Sequence, residues 1–368
     1  MSGAAQPPMQ ARPSELDERV EPRAYAALDL GTNNCRLLIA SPTARGFRVL
    51  EAFSRIVRLG DGLTHTGRLD AAAMERAMAA LKICADRIRR RGAPHVRCVA
   101  TQACRAAENG ADFIARVEAE TGLRLSIITP KEEARLSVAG CVGLLDRDCE
   151  AALVVDVGGG STELSWIDLG QLRFDPSRRP PHPARLPIKA WVSVPIGVVT
   201  LADRFPETDH GREAWFRAMV EEVKAHIGRF GGADDMRPAF QEGRAHLIGT
   251  SGAITSLAGM HLGLPRYERA KVDGLWMTRQ DCEAAAGMLM QMTAAQRAGQ
   301  PCIGPDRADL VLAGAAILQA VQELWPCERV RVADRGLREG LLMSLMSKPP
   351  RRRRVRRPAQ FAAAGPAS

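Results

Sequence analysis

The fold is indicated by a glycine-rich turn between two apolar runs, which reads Asp156-Val157-Gly158-Gly159-Gly160-Ser161-Thr162-Glu163. The runs on either side, Ala151–Val157 and Thr162–Ile167, have the length and composition of strands. Three successive glycines leave the backbone bare, so an anion can approach its N–H groups closely. Asp156 and Glu163 bracket the glycines and are placed to flank a metal ion. We therefore interpret the turn as an anion site rather than a plain hairpin.

A similar turn occurs near the start of the chain, and it reads Asp29-Leu30-Gly31-Thr32-Asn33-Asn34. Apolar runs precede and follow it, at Ala24–Leu30 and Cys35–Ala40. Its glycine permits a sharp bend, after which backbone N–H groups and the Thr32 and Asn33 side chains can surround phosphate oxygens. The aspartate at the strand end can hold Mg²⁺ directly or through water. A simple hairpin remains the alternative for this turn taken by itself.

Strands and helices alternate along the rest of the chain, which predicts a layered α/β architecture. The apolar spacing predicts long helices over 69–91, 130–145, 279–295 and 306–324. Residues 171–190 contain five prolines and four arginines, and we predict an extended hairpin loop there. A Walker-type phosphate loop is excluded at the second turn because no Gly-Lys-Ser/Thr follows it. A dinucleotide fingerprint is disfavoured because a strand follows these glycines.

The composition of the 368 residues is that of a globular protein with a basic C-terminal end. The net charge is +9, and a run of arginines, Arg351–Arg357, contributes much of it. This run could bind a nucleic acid or another polyanion, but a solvated, disordered tail is the favoured interpretation. The proline-bearing segment 1–23 is predicted to be disordered as well.

The nine cysteines contain no Cys-x-x-Cys pair, which argues against a disulfide framework and a structural zinc site. They predict reduced thiols in a cytoplasmic protein. No apolar run approaches the ~18 residues that a membrane helix needs, and no signal-peptide pattern precedes Asp29. We therefore expect a protein without membrane association.

Two further segments carry groups that suit phosphate chemistry. Glu132 and Glu133 stand at a helix start after Pro130, where a carboxylate can activate a water against a phosphoryl group. The alternative is that these acids only complement the helix dipole. The segment Gly249-Thr250-Ser251-Gly252 places backbone donors at a helix N-terminus, either as an anion site or as an ordinary helix cap.

Together, these segments resemble the exopolyphosphatase/guanosine pentaphosphate phosphatase (Ppx/GppA) family of the actin–heat-shock–sugar-kinase superfamily. The resemblance spans about 24 to 347 and rests on both turns, on Glu132-Glu133-Ala134-Arg135-Leu136, on Thr101 with Arg105 and Asn109, on Gly249–Gly252 and on Gly336-Leu337-Arg338-Glu339-Gly340.

The resemblance implies an α/β protein with two ribonuclease-H-like (actin-like ATPase) domains and an active site in the cleft between them. The second domain would begin at residue 149, and the helix 336–347 is a candidate for packing back on the first. The expected division is a tail at 1–23, domains at 24–148 and 149–347, and a basic tail at 348–368.

The resemblance also implies roles for single residues. Glu133 falls on the catalytic base, and Arg105 on a position that contacts the phosphate chain. Mg²⁺, with Mn²⁺ as a substitute, is expected at Asp29, Asp156 and Glu163. The expected phosphate-binding residues, besides Arg105, are Gly31, Thr32, Asn33, Gly158, Gly159, Gly160, Ser161 and Gly252.

The leading functional hypothesis is a metal-dependent hydrolase that releases terminal orthophosphate from polyphosphate, guanosine pentaphosphate or both. The alternative is a catalytically weak regulatory protein that senses polyphosphate or a nucleotide. A sugar kinase is a third option, but no sugar-binding aspartate is evident. The expected partners are the substrate and a second copy of the chain in a homodimer.

Overall fold

The computed structural model describes residues 24–44, 46–172, 183–208 and 210–347. The described residues form two β-sheets flanked by helices. The strands are β1 (Tyr25–Leu30), β2 (Asn34–Thr43), β3 (Gly46–Ile56), β4 (His95–Ala100), β5 (Leu125–Ile127), β6 (Ala151–Val157), β7 (Thr162–Asp168), β8 (Ile188–Val194), β9 (Ala245–Thr250), β10 (Trp276–Thr278) and β11 (Arg329–Ala333).

Fourteen α-helices lie in the described ranges. They are α1 (Leu63–Thr66), α2 (Ala71–Arg90), α3 (Gln102–Ala106), α4 (Gly110–Thr121), α5 (Pro130–Cys141), α6 (Val198–Arg204), α7 (Arg212–Ile227), α8 (Arg237–Gln241), α9 (Gly252–His261), α10 (Arg269–Val272), α11 (Arg279–Met290), α12 (Ala294–Ala298), α13 (Val311–Leu324) and α14 (Leu337–Met346). None of these helices combines the length and apolar character that crossing a bilayer requires.

The two sheets share one topology. The first has the order β3-β2-β1-β4-β5, and the second has the order β8-β7-β6-β9-β11 with β10 added at its edge. In the first sheet, neighbouring strands from β3 to β1 are antiparallel, whereas β4 and β5 run parallel to β1. In the second sheet, neighbouring strands from β8 to β6 are antiparallel, whereas β9 and β11 run parallel to β6. This repeated 3-2-1-4-5 order confirms the predicted α/β fold with two ribonuclease-H-like sheets. The strand–turn–strand units at Asp29 and Asp156 occupy equivalent places in it.

The prediction of an extended loop over 171–190 is wrong at its C-terminal end. Residues from Ile188 onwards form β8, which pairs with β7 along the sheet edge. Ala190 and Val194 in this strand are buried against the core, so tertiary packing overrides the turn-forming composition of the preceding prolines. The predicted helices are also shorter, because α5 ends at Cys141, α11 ends at Met290 and α13 begins at Val311.

Several predictions concern segments outside the described residues, namely the tails 1–23 and 348–368 and the middle of the proline-rich segment, 173–182. All nine cysteines lie in the described ranges, and each of them is buried and free of disulfide bonding. This agrees with the expectation of reduced thiols.

The C-terminal helix α14 packs on the first sheet. Leu341, Leu342 and Met346 share a buried apolar cluster with Ala27 of β1 and with neighbouring strands. Its backbone also touches α5, since a Cβ atom added at Gly340 would lie 1.9 Å from the Leu136 carbonyl oxygen. The helix 336–347 was a candidate from the sequence for packing back on the first domain, and this contact is present. The domain limits themselves remain a prediction.

Candidate active site

A cleft of about 570 Å³ opens between the two sheets. It is bordered by both glycine turns, by the start of α5 and by the segment that leads into α9. All of the predicted site residues except Arg105 line it, namely Asp29, Gly31, Thr32, Asn33, Glu133, Asp156, Gly158, Gly159, Gly160, Ser161, Glu163 and Gly252. Residues spread over more than 220 positions of sequence are thus brought to one site.

The two turns have the same local geometry. The N–H of Gly31 donates to the Asn34 carbonyl at 2.8 Å, and that of Gly158 donates to the Ser161 carbonyl at 2.9 Å. The strand pairing places Asp29 opposite Arg36 in the first hairpin. It places Asp156 opposite Glu163 in the second. The two aspartates therefore occupy equivalent positions, whereas an arginine in one hairpin is replaced by a glutamate in the other.

The glycines of the second turn also let the two turns touch. A Cβ atom at Gly159 would lie 3.0 Å from the Cβ of Thr32 and 3.1 Å from the backbone nitrogen of Asn33. One at Gly160 would lie 2.8 Å from the Thr32 hydroxyl oxygen. Bare backbone is therefore required for close contact across the cleft, in addition to the anion binding inferred from the sequence.

Glu133 stands in the first turn of α5 and faces the cleft with only 8% of its surface exposed. The helix begins here because Pro130 suits its first turn and the Thr129 hydroxyl accepts a hydrogen bond from the Glu132 N–H at 3.2 Å. Burial raises the pKa of Glu133 well above its usual range, and the neighbouring Glu163 carboxyl raises it further. A carboxyl with a raised pKa accepts a proton more readily than an ordinary glutamate.

Arg105 does not line the cleft but lies behind Glu133. Its terminal nitrogens donate to Oε2 of Glu133 at 3.2 and 3.3 Å. It also donates to the Ile128 carbonyl at 2.6 Å and to Oε1 of Gln102 at 2.7 Å. The charge of Arg105 opposes the burial that raises the pKa of Glu133. In this arrangement, Arg105 fixes the carboxylate, and its predicted contact with the phosphate chain stays a prediction.

Glu132 points elsewhere. Its side chain forms an ion pair with Arg97 and is 41% exposed. The position of Glu133 in the cleft fits the interpretation of a carboxylate that activates water. The surface position of Glu132 at the helix start fits the interpretation of an acid that complements the helix dipole.

The three predicted metal ligands also line the cleft. Oδ2 of Asp156 accepts a hydrogen bond from the Ser137 hydroxyl, one helical turn after Glu133. Oε1 of Glu163 accepts one from the Ser193 hydroxyl at 2.7 Å. Oδ1 of Asp29 is buried and has no hydrogen-bond partner among the described residues. Burial raises the pKa of Asp29 to about 6, and burial with the nearby Asp156 raises the pKa of Glu163 to about 7.

The chain as a whole is similar to known proteins in sequence and in fold. The sequence model described as the Ppx/GppA phosphatase family matches residues 38–349. The chain belongs to this family. Exopolyphosphatase 2 from Mycobacterium tuberculosis is 31% identical to this Ppx/GppA member over 337 residues, which cover 87% of this chain and 98% of that protein.

Solved structures of the family superpose on this member. The PPX-GPPA enzyme from Aquifex aeolicus is 27% identical, with a TM-score of 0.69 over 87% of this chain and 99% of that one. An exopolyphosphatase from Cytophaga hutchinsonii has a TM-score of 0.75 over 88% of this chain and 97% of its own, at 24% identity. The similarity to the Cytophaga hutchinsonii structure shows that the two proteins share a fold.

The donor set of this Ppx/GppA member fits a hard cation. The predicted ligands Asp29, Asp156 and Glu163 carry oxygen atoms of the kind that Mg²⁺ prefers, and the unpartnered Oδ1 of Asp29 is available to one. Within the described residues, no three His, Cys, Asp or Glu side chains are grouped closely enough to enclose a metal. Mg²⁺ commonly uses one or two carboxylates and completes its shell with phosphate and water oxygens, which suits this cleft.

Among the residues that the structure describes, five arginines line the cleft. All of them were missed as site residues by the sequence reasoning, and two of them affect the pKa of Asp29. Arg36 lies on β2 opposite Asp29, and Arg338 lies at the start of α14. Both positive charges lower the pKa of Asp29 against the larger effect of its burial. Alternation along β2 was the signal for Arg36, since residues at even spacing from Asn34 share its face. Arg338 was quoted in a family segment but given no role.

The third glycine segment borders the cleft and also caps a helix, because the Ser251 hydroxyl accepts a hydrogen bond from the Ile254 N–H at 3.4 Å. Ser251 precedes α9 with a φ of 141°, a region that side chains rarely adopt. A Cβ atom at Gly252 would lie 3.4 Å from Cζ of Arg307, so the guanidinium group of Arg307 covers this glycine. Ser251 and Arg307 both line the cleft. The hydrogen bond to Ile254 confirms the helix-cap interpretation, and the anion-site interpretation stays a prediction.

Proposed function

We propose that this Ppx/GppA family member is a Mg²⁺-dependent phosphoanhydride hydrolase that releases terminal orthophosphate from inorganic polyphosphate, guanosine pentaphosphate or both. Mn²⁺ is the expected substitute for Mg²⁺. The observation that carries the proposal is the position of Glu133, buried in the same cleft as both glycine turns. The name of the Mycobacterium tuberculosis relative, exopolyphosphatase 2, supports the same reaction class.

In the proposed reaction, the Glu133 carboxylate accepts a proton from the water that attacks the terminal phosphorus. Arg105 favours the ionised form of Glu133 and holds its Oε2 atom in place. Backbone N–H groups of the two turns face phosphoryl oxygens and stabilise the charge that develops on them. Mg²⁺, bound by the Asp29 and Asp156 carboxylates, would supply further neutralisation of that charge. The bond between the terminal phosphorus and the bridging oxygen breaks, so orthophosphate and the shortened polyphosphate, or guanosine tetraphosphate, are released.

A second feature of the cleft favours a nucleotide among the substrates. The side of the cleft near α9 is lined by Tyr267 and by apolar groups of Ala253, Ile303 and Leu310. A chain of phosphates has no apolar part to place there, whereas a nucleobase can stack on a tyrosine ring and pack against aliphatic groups. Guanosine pentaphosphate therefore remains a candidate beside polyphosphate.

The test is orthophosphate release from purified protein given polyphosphate, guanosine pentaphosphate and ATP, each with Mg²⁺ and with EDTA. We expect release from at least one of the first two substrates in Mg²⁺ and none in EDTA. Tight binding of polyphosphate or guanosine pentaphosphate without release would instead favour the regulatory alternative. Full turnover in EDTA would contradict the metal assignment.

A further inference from the structure

One ion pair connects the part of the chain that carries the first turn to the part that carries Arg307. Nη2 of Arg58, just after β3, donates to both carboxylate oxygens of Asp309 at 2.9 and 2.8 Å. It lies 3.4 Å from the Asp306 carbonyl oxygen, which accepts a third hydrogen bond. The two charged residues are 251 positions apart in sequence. We call this pair the latch.

The Arg58 end of the latch is attached to the first turn. The backbone N–H groups of Val57 and Arg58 donate to the Asn33 carbonyl at 2.9 and 3.1 Å. Arg58 has a φ of 48°, in the left-handed region that costs energy for a residue with a side chain. The surrounding hydrogen bonds keep Arg58 in this conformation, which directs its side chain to Asp309 beside a smaller pocket next to the cleft.

The Asp309 end belongs to the segment that covers Gly252. Arg307 is two residues before Asp309, and its guanidinium group lies against Gly252. The Arg307 carbonyl accepts hydrogen bonds from the N–H groups of Leu310 and Val311, both at 3.0 Å. The fully buried Arg297 donates to the Ala308 carbonyl at 2.8 Å. These hydrogen bonds hold residues 307–311 together, so the positions of Asp309 and Arg307 are linked.

The charges around the latch make Arg58 important for keeping the two parts together. Asp61 comes from the first part of the chain, and Asp203 and Asp309 come from the second. Burial raises the pKa of Asp61 and of Asp203, Asp309 raises both further, and Arg58 opposes the rise in each. His65 and Arg76 also face this group and oppose the rise at Asp203 and Asp61, respectively. Without Arg58, carboxyl groups from the two parts of the chain would face one another with less positive charge to compensate them.

We propose that Arg58 and Asp309 are positioning residues that hold the cleft closed, with the first turn and Arg307 on opposite sides of the bound phosphate compound. The kinetic consequence rests on the proposed function, because it assumes that the cleft binds substrate. The closure itself does not depend on that assumption. Opening the latch should weaken binding of polyphosphate or guanosine pentaphosphate without changing the chemical step.

The experiment compares Arg58→Gln, Asp309→Asn and the double variant with the parent. Hydrogen–deuterium exchange of backbone amides reports closure, and phosphate release reports KM and kcat. We expect faster exchange in residues 31–34 and 304–310 in both single variants. We also expect KM to rise about 2- to 5-fold, the range that a partly exposed ion pair provides, with kcat unchanged. The double variant should be no worse than Arg58→Gln, because both changes remove the same contact.

The matched control is Arg204→Gln. Arg204 pairs with Glu222 at 2.8 Å with side-chain exposures of 39% and 31%, against 32% and 49% for Arg58 and Asp309. That pair lies within the second part of the chain, so its loss should leave exchange and KM as in the parent. The proposal is overturned if the latch variants exchange like the parent or if their effects simply add. If the parent itself releases no phosphate, the exchange arm still decides the latch, and only the proposed function fails.

Discussion

Both terminal nitrogens of Arg105 donate to the same oxygen of Glu133, Oε2, at 3.2 and 3.3 Å. This leaves Oε1 of the buried carboxylate without a contact to Arg105. The pairing assigns Arg105 a defined effect on the proposed base, because its charge acts against the burial that raises the pKa of Glu133.

Replacing Arg105 by glutamine should move the acidic limb of the activity profile to higher pH. Loss of the guanidinium charge raises the pKa of Glu133 further, so a higher pH is needed to obtain the ionised base. Since a neighbouring opposite charge typically shifts a pKa by ~1–3 units, we expect a shift of at least about one pH unit. The measurement is kcat against pH. Arg97→Gln is the control, because Arg97 pairs with Glu132 instead, and its profile should match the parent.

Removing the Ser137 hydroxyl should weaken metal binding more than it lowers kcat at saturating metal concentration. The hydroxyl donates to Oδ2 of Asp156, and partners of this kind typically set metal affinity by ~10–100-fold. We expect Ser137→Ala to raise the Mn²⁺ dissociation constant by about 10-fold or more, measured by calorimetry without substrate. Ser137→Thr keeps the hydroxyl and should bind like the parent. Equal affinity of the alanine variant would remove Asp156 from the metal site.

The glycines of the second turn should tolerate no side chain. In Gly159→Ala, the added Cβ would lie 3.0–3.2 Å from atoms of Thr32 and Asn33, one of them a backbone nitrogen. The turns must then separate, and misplaced binding groups can cost ~10²-fold in rate. We expect kcat/KM to fall by at least about 10-fold. Gly287→Ala in α11 meets open space and should instead stabilise the protein by about 1 kcal/mol without changing the rate.

The free energy of unfolding of the metal-free protein should fall as the pH rises from about 4 to about 7. The folded-state pKa values of Asp29 and Glu163 are raised to about 6 and about 7, from 3.8 and 4.5. A raised pKa means that the folded state binds protons more tightly than the unfolded state. Protonation of these two carboxyl groups therefore stabilises the fold fully below about pH 4, and this contribution is lost as the pH rises through about 6 to 7. Mg²⁺ relieves the repulsion between ionised carboxylates.

The measurement for this prediction is thermal unfolding in EDTA and in Mg²⁺ across pH 5 to 8. We expect Mg²⁺ to raise Tm more at pH 7.5 than at pH 5.5, with Asp29→Asn reducing the difference. A Mg²⁺ effect that is the same at both pH values would contradict the assignment of these two carboxyl groups to the metal site.

The fold was predictable because its repeated unit is local in sequence. Each strand–Asp–turn–strand unit, at Asp29 and at Asp156, carries its own apolar runs and its own glycine, so periodicity alone locates both. Strand β8 was missed because it is stabilised by pairing with β7 rather than by its own pattern. Strand β10, with only three residues, is too short to give a pattern, and its pairing with β11 determines it.

Site residues that lie in family motifs were predictable from the sequence. Pairs of side chains that are distant in sequence were not. Glu133 and the turns follow from their motifs, and the structure brings them together. The pairings of Arg105 with Glu133, Ser137 with Asp156 and Arg58 with Asp309 depend on how helices and sheets pack. No local pattern in the sequence encodes them.

The central claim is that Glu133, and not Glu132, is the base. Its most direct test is single-turnover orthophosphate release by Glu133→Gln and Glu132→Gln beside the parent, with the substrate that the parent hydrolyses. Loss of a general base typically costs ~10²- to 10⁴-fold, so Glu133→Gln should fall within that range while substrate binding persists. Glu132→Gln, which removes only a surface charge paired with Arg97, should stay close to the parent. A severe loss in Glu132→Gln, or parental rates in Glu133→Gln, would contradict the account.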